Sequence, residues 1–256
     1  MNSSQVPPHD NPDFRPAVVT VGSELVYGER TNDNQLWMLH TLWERGIPAQ
    51  IALSLSDDER LIGTEIGRLS AQGCFPILVS GGIGGTHDDV TRQGIARGLG
   101  VPLTEHAECR AILTARYGDQ FTPQRQRMAE LPEGAQLIDN PLGAPGFHCR
   151  GVYGFPGFPN MLQPMATTVL DELLTGTVAP ARYTREYVLA CGEGAIATPL
   201  EHFSLEHPEV SVGIYPSAAK LRREVLVRLR YPEGADAIAD AFEALIDKLR
   251  RSLPGS

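Results

Sequence analysis

The sequence predicts an α/β fold built on a parallel sheet, and two observations indicate it. Three strand patterns alternate with two helix patterns ahead of the Gly-rich segment that begins at residue 81, and this β–α–β–α–β order is typical of a parallel sheet with right-handed crossovers. The third strand pattern, at residues 76–80, is nearly all apolar, as expected for a central strand buried on both faces. A hydrophobic fraction of 42% is enough for a packed core.

The elements of this domain follow from local patterns taken in chain order. Strands are predicted at residues 17–22, 48–55, 76–80 and 151–155, and helices at residues 32–45, 107–116, 124–131 and 160–174. Another helix follows the second strand, and Ser56 is its expected N-cap, with Asp57, Asp58 and Glu59 in the first turn. Thr91 is expected to cap the helix after the Gly-rich segment.

Beyond residue 181 the pattern changes to a strand, a helix, two strands and a long amphipathic helix. This β–α–β–β–α order predicts a small α+β domain. The expected division of the chain is therefore a flexible arm at residues 1–15, an α/β domain at residues 16–175 and the small domain at residues 181–252.

Composition and charge argue against several classes of protein. The formal net charge of −9, with no basic stripe interleaved with aromatic residues, argues against a nucleic-acid partner. No apolar run approaches the roughly 18 residues of a membrane span, and the polar N-terminus does not resemble a signal peptide. Four widely spaced cysteines form no CxxC pair, which disfavours a disulfide framework or a zinc site. We therefore expect a soluble cytoplasmic protein that binds a small molecule and does not contact a membrane.

The segment SGGIGGTHDDVT at residues 80–91 is the clearest functional signal. Glycines after a buried strand let the backbone turn sharply and approach a ligand closely. The helix that follows directs free N–H groups and its positive dipole end towards the same space, which makes an anion site. Ligands of open α/β sheets also bind at the carboxyl ends of the strands. The candidate ligand-binding residues here are Ser80, Gly81, Gly82, Gly84, Gly85, Thr86 and Thr91.

Two carboxylates, Asp88 and Asp89, lie at the mouth of this segment. They would repel bound phosphates unless a divalent cation lay between them, so the pair is consistent with Mg²⁺ or a similar hard metal. Alternatively, both residues only stabilise the N-terminus of the helix. The spacing alone does not decide between these two interpretations.

Carboxylates also follow the first two strands, at Glu24 and Asp57. Because parallel strands end at one edge of the sheet, we expect Glu24, Asp57 and Asp89 to converge there. The stretch around Asn34 is either part of this site or a polar turn with a helix cap. The candidate metal ligands are therefore Asp57, Asp88 and Asp89, and further candidate ligand-binding residues are Gly22, Ser23, Glu24 and Asn34.

Two Pro-Gly segments, at residues 143–147 and 155–159, have two interpretations. They are turns, which is the usual role of Pro-Gly, or they are loops that cover the ligand. On the second interpretation the residues in contact with it are Gly146, Pro156 and Gly157.

Five segments of the chain occur in a characteristic order: residues 21–25 (VGSEL), 80–91, 131–135 (LPEGA), 140–147 (NPLGAPGF) and 156–159 (PGFP). With them, residues 17–174 resemble the molybdopterin-binding-like domain of the competence/damage-inducible protein family CinA. The resemblance implies a three-layer α/β fold that assembles as homo-oligomers. It also implies a divalent-metal-dependent pyrophosphatase (Mg²⁺, Mn²⁺ or Co²⁺) acting on ADP-ribose, FAD or similar dinucleotides. In the related molybdenum cofactor proteins the same domain binds molybdopterin instead.

Asp57 and Asp89 match the positions of functional aspartates in that family, so they are the candidate catalytic residues. Two positions depart from the family pattern. Ser23 replaces an aspartate, which removes a carboxylate, and Gly85 replaces a proline, which is expected to loosen the loop. Three functions remain open: a nucleotide pyrophosphatase, a protein that binds molybdopterin or a nucleotide without turnover, and a purely structural oligomer.

Overall fold

The structure, a computed structural model, describes residues 14–176, 182–216 and 224–253. It divides into two compact units. Of the described residues, the larger unit holds 14–43 and 47–176, and the smaller unit holds 44–46, 182–216 and 224–253. The arm predicted at residues 1–15 lies outside the described residues except for Phe14 and Arg15. The exact domain boundaries given above stay predictions.

The larger unit is built on a mostly parallel sheet, as predicted. Its strands are β1 (Ala17–Val21), β2 (Ile51–Leu55), β3 (Ile77–Ser80), β4 (Leu103–Glu105), β5 (Glu130–Pro132), β6 (Gln136–Ile138), β7 (Gly146–Cys149) and β8 (Val152–Phe155). The main sheet has the order β2-β1-β3-β8-β7-β6, in which β2, β1, β3 and β8 run parallel. β7 is antiparallel to β8 and β6 is antiparallel to β7, while β4 and β5 form a separate pair.

Helices lie on both faces of this sheet and complete the three-layer α/β fold. They are α1 (Ser23–Val26), α2 (Asp33–Glu44), α3 (Glu59–Ala71), α4 (Thr91–Leu99), α5 (Ala107–Tyr117), α6 (Pro123–Gln126) and α7 (Pro159–Leu173). One hydrophobic cluster joins strand residues such as Val19 to α3, α4 and α5 through Ile66, Ile95 and Leu113. The neighbouring strand residue Val18 is buried on the opposite face, and α2 and α7 each bury residues outside that cluster.

Helix α3 begins later than the sequence predicts. Its N-cap is Asp58 rather than Ser56. The Asp58 carboxylate accepts hydrogen bonds from the backbone N–H groups of Arg60 and Leu61, at 2.8 and 2.9 Å. One carboxylate thus satisfies two N–H groups of the first turn, and Asp57 is left outside the helix with its side chain free for another role.

Other local predictions are corrected in the same unit. Thr91 is the first residue of α4 rather than its cap, because Val90 holds the N-cap position without a side-chain hydrogen bond. The helix predicted at residues 124–131 is shorter, since α6 gives way to a 3-10 turn at Arg127–Ala129 and then to β5. The sequence does not predict β4, β6 or β7, because three or four residues are too few to show a period.

The smaller unit has the β–α–β–β–α order that the sequence predicts. Its elements are β9 (Arg182–Leu189), α8 (Ala197–Glu206), β10 (Ser211–Pro216), β11 (Val225–Pro232) and α9 (Asp236–Ser252). The strands form an antiparallel sheet in the order β10-β11-β9. Its hydrophobic core includes Val227 together with Phe203 of α8 and Phe242 of α9, whose ring centroids are 4.9 Å apart.

All four cysteines of the chain lie within the described residues. Cys74, Cys109, Cys149 and Cys191 are buried free thiols. Burial raises the pKa of Cys109 to about 11, so this thiol is protonated and unreactive at neutral pH. Among the described residues, no helix has the length and apolar character that a membrane span requires.

Candidate functional site

The Gly-rich segment lies at the carboxyl ends of adjacent parallel strands, as predicted. β3 ends at Ser80, which pairs with Thr20 of β1 on one side and Phe155 of β8 on the other. The Gly81 N–H donates to the Phe155 carbonyl at 3.1 Å, and the chain after β8 brings Gly157 close to Gly81. Below, residues 81–90 are called the glycine loop, and the edge formed by the carboxyl ends of β2, β1, β3 and β8 is called the rim.

Two glycines of the glycine loop lie where no side chain fits. Gly81 has a φ of 100°, and a Cβ there would lie 2.2 Å from the carbonyl oxygen of Val21. Gly82 has a φ of 64°, and its Cβ would lie 2.3 Å from the hydroxyl oxygen of Thr91. These conformations and close approaches are accessible to glycine alone without strain, so the loop exposes backbone rather than side chains.

The glycine loop presents unpaired backbone donors. The N–H groups of residues 82–85 donate no hydrogen bond to any described atom of the chain. The carbonyl groups of Gly82 and Ile83, by contrast, accept hydrogen bonds from α4. The Gly82 carbonyl accepts from the Thr91 N–H at 3.0 Å, and the Ile83 carbonyl accepts from Arg92 Nη1 at 2.7 Å. Consecutive free N–H groups beside a helix N-terminus form a binding site for an anion.

Two carboxylates converge on one hydroxyl beside these donors. The Thr86 hydroxyl oxygen lies 2.5 Å from Asp88 Oδ1 and 2.5 Å from Asp89 Oδ2, and the Thr86 N–H also donates to Asp89 Oδ2 at 2.8 Å. The hydrogen bond from Thr86 lowers the pKa of Asp88 below its ordinary value. Because a hydroxyl has one proton to donate, this cluster holds more negative oxygen atoms than donors.

The turns after β1 and β2 are tied together by Ser23 and Asp57. The Ser23 N–H donates to Asp57 Oδ2 at 2.7 Å, and the Asp57 N–H donates to Ser23 Oγ at 3.2 Å. Asp57 therefore reaches the rim, but one of its carboxylate oxygens is already bound. Gly22 lets the Glu24 carboxylate fold over the backbone, since a Cβ on Gly22 would lie 2.7 Å from Glu24 Oε2.

A small hollow of about 50 Å³ in the rim brings several predicted residues together. Asn34 Nδ2 donates to Ser80 Oγ at 3.1 Å and to the Gly157 carbonyl at 2.8 Å, and Ser80 Oγ donates to the Pro156 carbonyl at 3.3 Å. Asn34 Oδ1 is buried with no hydrogen-bond partner in the part of the chain that the structure describes. Residues that line this hollow include Glu24, Arg30, Asp33, Asn34, Ser80, Gly81 and Gly157.

The three predicted metal ligands do not form one preformed cluster. Asp57 is bound to Ser23, whereas Asp88 and Asp89 share Thr86. Within residues 14–176, 182–216 and 224–253, no group of three or more His, Cys, Asp or Glu residues is placed to hold a metal ion. The structure thus separates the carboxylates into a pair on the glycine loop and a single residue on the neighbouring turn.

Gly146 and Gly85, both predicted to bind the ligand, lie where close packing leaves little room for a side chain. Gly146 is buried in β7, where a Cβ would lie 2.6 Å from Met165 Cε and 2.7 Å from the Gly154 carbonyl oxygen. Its assignment as a ligand-binding residue stays a prediction. A Cβ on Gly85 would lie 2.4 Å from the Gln124 carbonyl oxygen, so this glycine allows the loop to pack closely on α6, an effect that opposes the loosening expected from the loss of proline.

Sequence reasoning misses Arg92, one of the largest fully buried side chains, which is 1% exposed. Its Nε and Nη2 have no hydrogen-bond partner in the described part of the chain. Burial lowers the pKa of Arg92, and the charge of Asp89, then that of Glu130, opposes this shift. The sequence did contain one signal, which is the position of Arg92 in the first turn of a helix. A cation there opposes the helix dipole, so its presence indicates a role other than stabilising the helix.

A larger groove of about 900 Å³ lies between the outer strands and α7. It reaches Phe75 and Gly151, which precede β3 and β8, so it runs towards the amino ends of these strands. It also holds the stacked rings of His148 and Tyr153, whose centroids are 5.2 Å apart. Since ligands of parallel α/β sheets bind at the carboxyl ends, the smaller rim site remains the candidate functional site.

Comparison with known proteins gives an independent view of the chain. The family described as probable molybdopterin binding domain matches residues 17–176. A protein of Aeropyrum pernix is 31% identical over 250 residues, which cover 92% of each chain. A CinA-like protein of Syntrophus aciditrophicus is 30% identical over 253 residues, which cover 94% of this chain and 60% of that relative's length. The crystal structure of a CinA protein of unknown function from Thermoplasma acidophilum is 30% identical, with a TM-score of 0.58, and the match covers 62% of this chain and 97% of that one.

Proposed function

The chain belongs to the family of probable molybdopterin-binding domains, and we propose that its rim binds a phosphate-bearing ligand, either a nucleotide or molybdopterin. The observation that carries this proposal is the row of N–H groups at residues 82–85, which have no partner among the described residues and lie beside the N-terminus of α4. Such a site holds an anion without any lysine. The orphan Oδ1 of Asn34 in the adjacent hollow suits an amino or hydroxyl group of the same ligand.

A divalent metal fits the acidic part of this site. The carboxylates of Asp88 and Asp89 both approach the Thr86 hydroxyl, which has one proton to share between them. Mg²⁺, Mn²⁺ and Co²⁺ accept oxygen ligands of this kind, and such an ion would offset the repulsion between the carboxylates and a bound phosphate. Asp88 and Asp89 would hold it, and Asp57 could join through the carboxylate oxygen that Ser23 does not bind.

The acidic pair also supports hydrolysis of a nucleotide diphosphate linkage, as in ADP-ribose or FAD. The N–H groups of residues 82–85 would stabilise the charge that develops on the phosphate oxygens. Asp57 and Asp89, the proposed catalytic residues, would orient the attacking water and accept its proton. Water would add to one phosphorus atom, and the bridging oxygen would leave with the other phosphate, giving AMP as one product. The metal, when bound, would polarise the phosphate.

A second candidate function is binding without turnover, and Ser23 favours it. The resemblance to the CinA family places an aspartate at this position, whereas here Ser23 makes an uncharged partner for Asp57. The rim therefore has one carboxylate fewer for a metal. Its N–H donors for an anion are unaffected by this replacement.

Incubation of the purified protein with ADP-ribose, FAD or NAD separates the two candidates. With Mg²⁺, Mn²⁺ or Co²⁺ present, hydrolysis predicts AMP release that falls about 100-fold or more in Asp89→Ala. Asp139→Ala, which removes an exposed aspartate of the larger groove, is the matched control and should retain wild-type activity. AMP release no greater than that of Asp89→Ala, with every substrate and metal, rules out the hydrolase.

Calorimetry with molybdopterin and with ADP-ribose then measures binding itself. Binding without turnover predicts a saturable heat with at least one ligand, and unchanged ligand recovered by chromatography. Tighter binding of molybdopterin than of ADP-ribose would place the chain with the molybdenum cofactor proteins. If the protein binds neither of these ligands, nor FAD, nor NAD, both candidate functions are excluded.

A further inference from the structure

Arg92 is a charged side chain in a position that costs free energy. It is 1% exposed, it lies in the first turn of α4, and its Nε and Nη2 have no hydrogen-bond partner in the described ranges. Moving a guanidinium out of water is expensive unless its charge is closely paired, and a cation at a helix N-terminus opposes the dipole. The helix dipole and burial both disfavour this residue here, so its role lies in the one hydrogen bond that its side chain makes within the described residues.

That contact fixes the orientation of a peptide in the glycine loop. Arg92 Nη1 donates to the Ile83 carbonyl oxygen at 2.7 Å. In a trans peptide the C=O and the N–H lie in one plane and point in opposite directions. Because the Ile83 carbonyl is turned inward to a buried guanidinium, the N–H of Gly84 in the same peptide is turned away from the interior. The Gly84 N–H is one of the loop donors that have no partner in the described part of the chain.

The preceding peptide is held in the same manner by the preceding residue of α4. The Thr91 N–H donates to the Gly82 carbonyl oxygen at 3.0 Å, so the Ile83 N–H of that peptide points away from the helix. The first two residues of α4 therefore orient two consecutive peptides. Thr91 uses its backbone N–H for this, and any residue except proline could do the same, whereas the second contact needs a long side chain with a donor at its end.

We propose that Arg92 is a positioning residue, which aims the Gly84 N–H at a bound anion by holding the Ile83 carbonyl from the buried side of the loop. This inference rests on the proposed function, because it takes the glycine loop to be an anion site. The guanidinium also adds a positive charge beneath the loop, and Asp89 interacts with that charge.

Amide hydrogen exchange tests the positioning role without any ligand. The amides of Gly81 and Thr91, whose hydrogen bonds close the loop, report on its shape by NMR. We expect Arg92→Met to raise their exchange rates about tenfold, because a charge-assisted hydrogen bond is lost, and Arg92→Lys to restore most of the protection. Amides of β1 should exchange as in the wild type. A uniform rise across the sheet, or no change at Thr91, would overturn the proposal.

A matched control removes a comparable arginine elsewhere in the same unit. Arg116 Nη2 donates to the backbone carbonyls of Asn140 and Pro141, each at 3.2 Å, and neither carbonyl belongs to the glycine loop. Arg116→Met should leave the exchange of Gly81 and Thr91 unchanged. Should Arg92→Met fail to fold, Arg92→Gln is the second variant, because its side chain is neutral and shorter, and the same loss of protection is expected from it.

Calorimetry with inorganic pyrophosphate, without metal, tests the consequence for binding. We expect Arg92→Met to weaken the affinity about tenfold, Arg92→Lys to remain within about threefold of the wild type, and Arg116→Met to match the wild type. Wild-type affinity in a folded Arg92→Met would overturn the inference while leaving the proposed function intact. A wild-type protein that binds no pyrophosphate either without metal or with Mg²⁺ would instead count against the proposed function, and the exchange rates would still decide whether Arg92 shapes the loop.

Discussion

The glycine loop and the Ser23–Asp57 pair lie on the same rim but differ in what they leave available to a ligand. In the glycine loop, the N–H groups of residues 82–85 are unpaired within the described chain, and two carboxylates compete for one hydroxyl. In the Ser23–Asp57 pair, each N–H donates to the side chain of the other residue. Strand order therefore decides where polar groups meet, while local hydrogen bonds decide whether they remain free to bind.

The largest effect is expected from Gly81→Ala, which would disrupt the glycine loop and leave the Ser23–Asp57 pair intact. A Cβ at this position would lie 2.2 Å from the Val21 carbonyl oxygen, on a backbone with a φ of 100°. Strain and overpacking together should lower the free energy of unfolding by about 3–5 kcal/mol. Pyrophosphate binding should be lost because the loop peptides move. Urea unfolding and calorimetry measure these two outcomes.

Gly73→Ala is the matched control for that substitution. Gly73 has a φ of 72°, but nothing lies within 4 Å of the place where its Cβ would be. Backbone strain alone should therefore cost about 1–2 kcal/mol, with ligand binding as in the wild type. Equal losses of stability in the two variants would show that the positive φ, and not the contact with Val21, sets the need for glycine at position 81.

A smaller effect is expected from Ser23→Asp, which would give the Ser23–Asp57 pair two carboxylates, as in the glycine loop. A second carboxylate would then face that of Asp57, and without metal the repulsion should cost about 1–2 kcal/mol. Mg²⁺ should reverse this loss and raise Tm by more than it does in the wild type, since two carboxylates bind a hard cation better than one. Circular dichroism melts with and without Mg²⁺ provide the measurement.

Ser23→Asn isolates the charge in that experiment, because asparagine has the same shape as aspartate and no carboxylate. Its Tm should respond to Mg²⁺ no more than that of the wild type. If the Tm of Ser23→Asp is also indifferent to Mg²⁺, the number of carboxylates does not limit metal binding at the rim. The glycine loop and the Ser23–Asp57 pair would then differ only in the N–H donors that they leave available to a ligand.

The sequence could predict where both regions lie, because their positions follow from the strand order. Polar residues that follow β1, β2 and β3 emerge at one edge of a parallel sheet, so Ser23, Asp57 and Asp89 belong to the rim on topology alone. The turn at Gly81 was also predictable, since repeated glycine after a buried strand is typical of a backbone that approaches a ligand. Both inferences depend only on the order of strands and helices along the chain, and neither needs a distance between atoms.

The partners that these residues choose could not be predicted from the sequence. Ser56 and Asp58 are both good N-caps by residue type, and the choice of Asp58 is what leaves Asp57 to Ser23. The inward contact of Arg92 depends on the distance between α4 and the glycine loop, which tertiary packing sets. Local pattern fixes the type of element, whereas hydrogen-bond pairing between elements depends on their separation in space.

The smallest effect concerns Asp88 and Asp89, the acidic pair of the glycine loop. Thr86→Val removes the hydroxyl and keeps the branched shape, so Asp88 loses the hydrogen bond that is the main cause of its lowered pKa. We expect the pKa of Asp88 to rise towards that of an ordinary exposed aspartate. Carboxyl carbon shifts recorded by NMR between about pH 2 and pH 7 measure it, and Thr64→Val, which removes an exposed hydroxyl bound to a carbonyl of α3, is the control.

The sign of the linked stability follows from the direction of that shift. A lowered pKa in the folded state stabilises the protein above the unfolded-state pKa of Asp88, and the contribution disappears as the pH falls through the folded-state value. Thr86→Val should therefore lower stability at neutral pH and flatten its loss on the acid side, and both changes should be small because Asp88 is exposed. An unchanged pKa in Thr86→Val would mean that the hydroxyl serves Asp89 alone. The two carboxylates would then not compete for it, and the excess of acceptors that supports a metal in this region would be smaller than proposed.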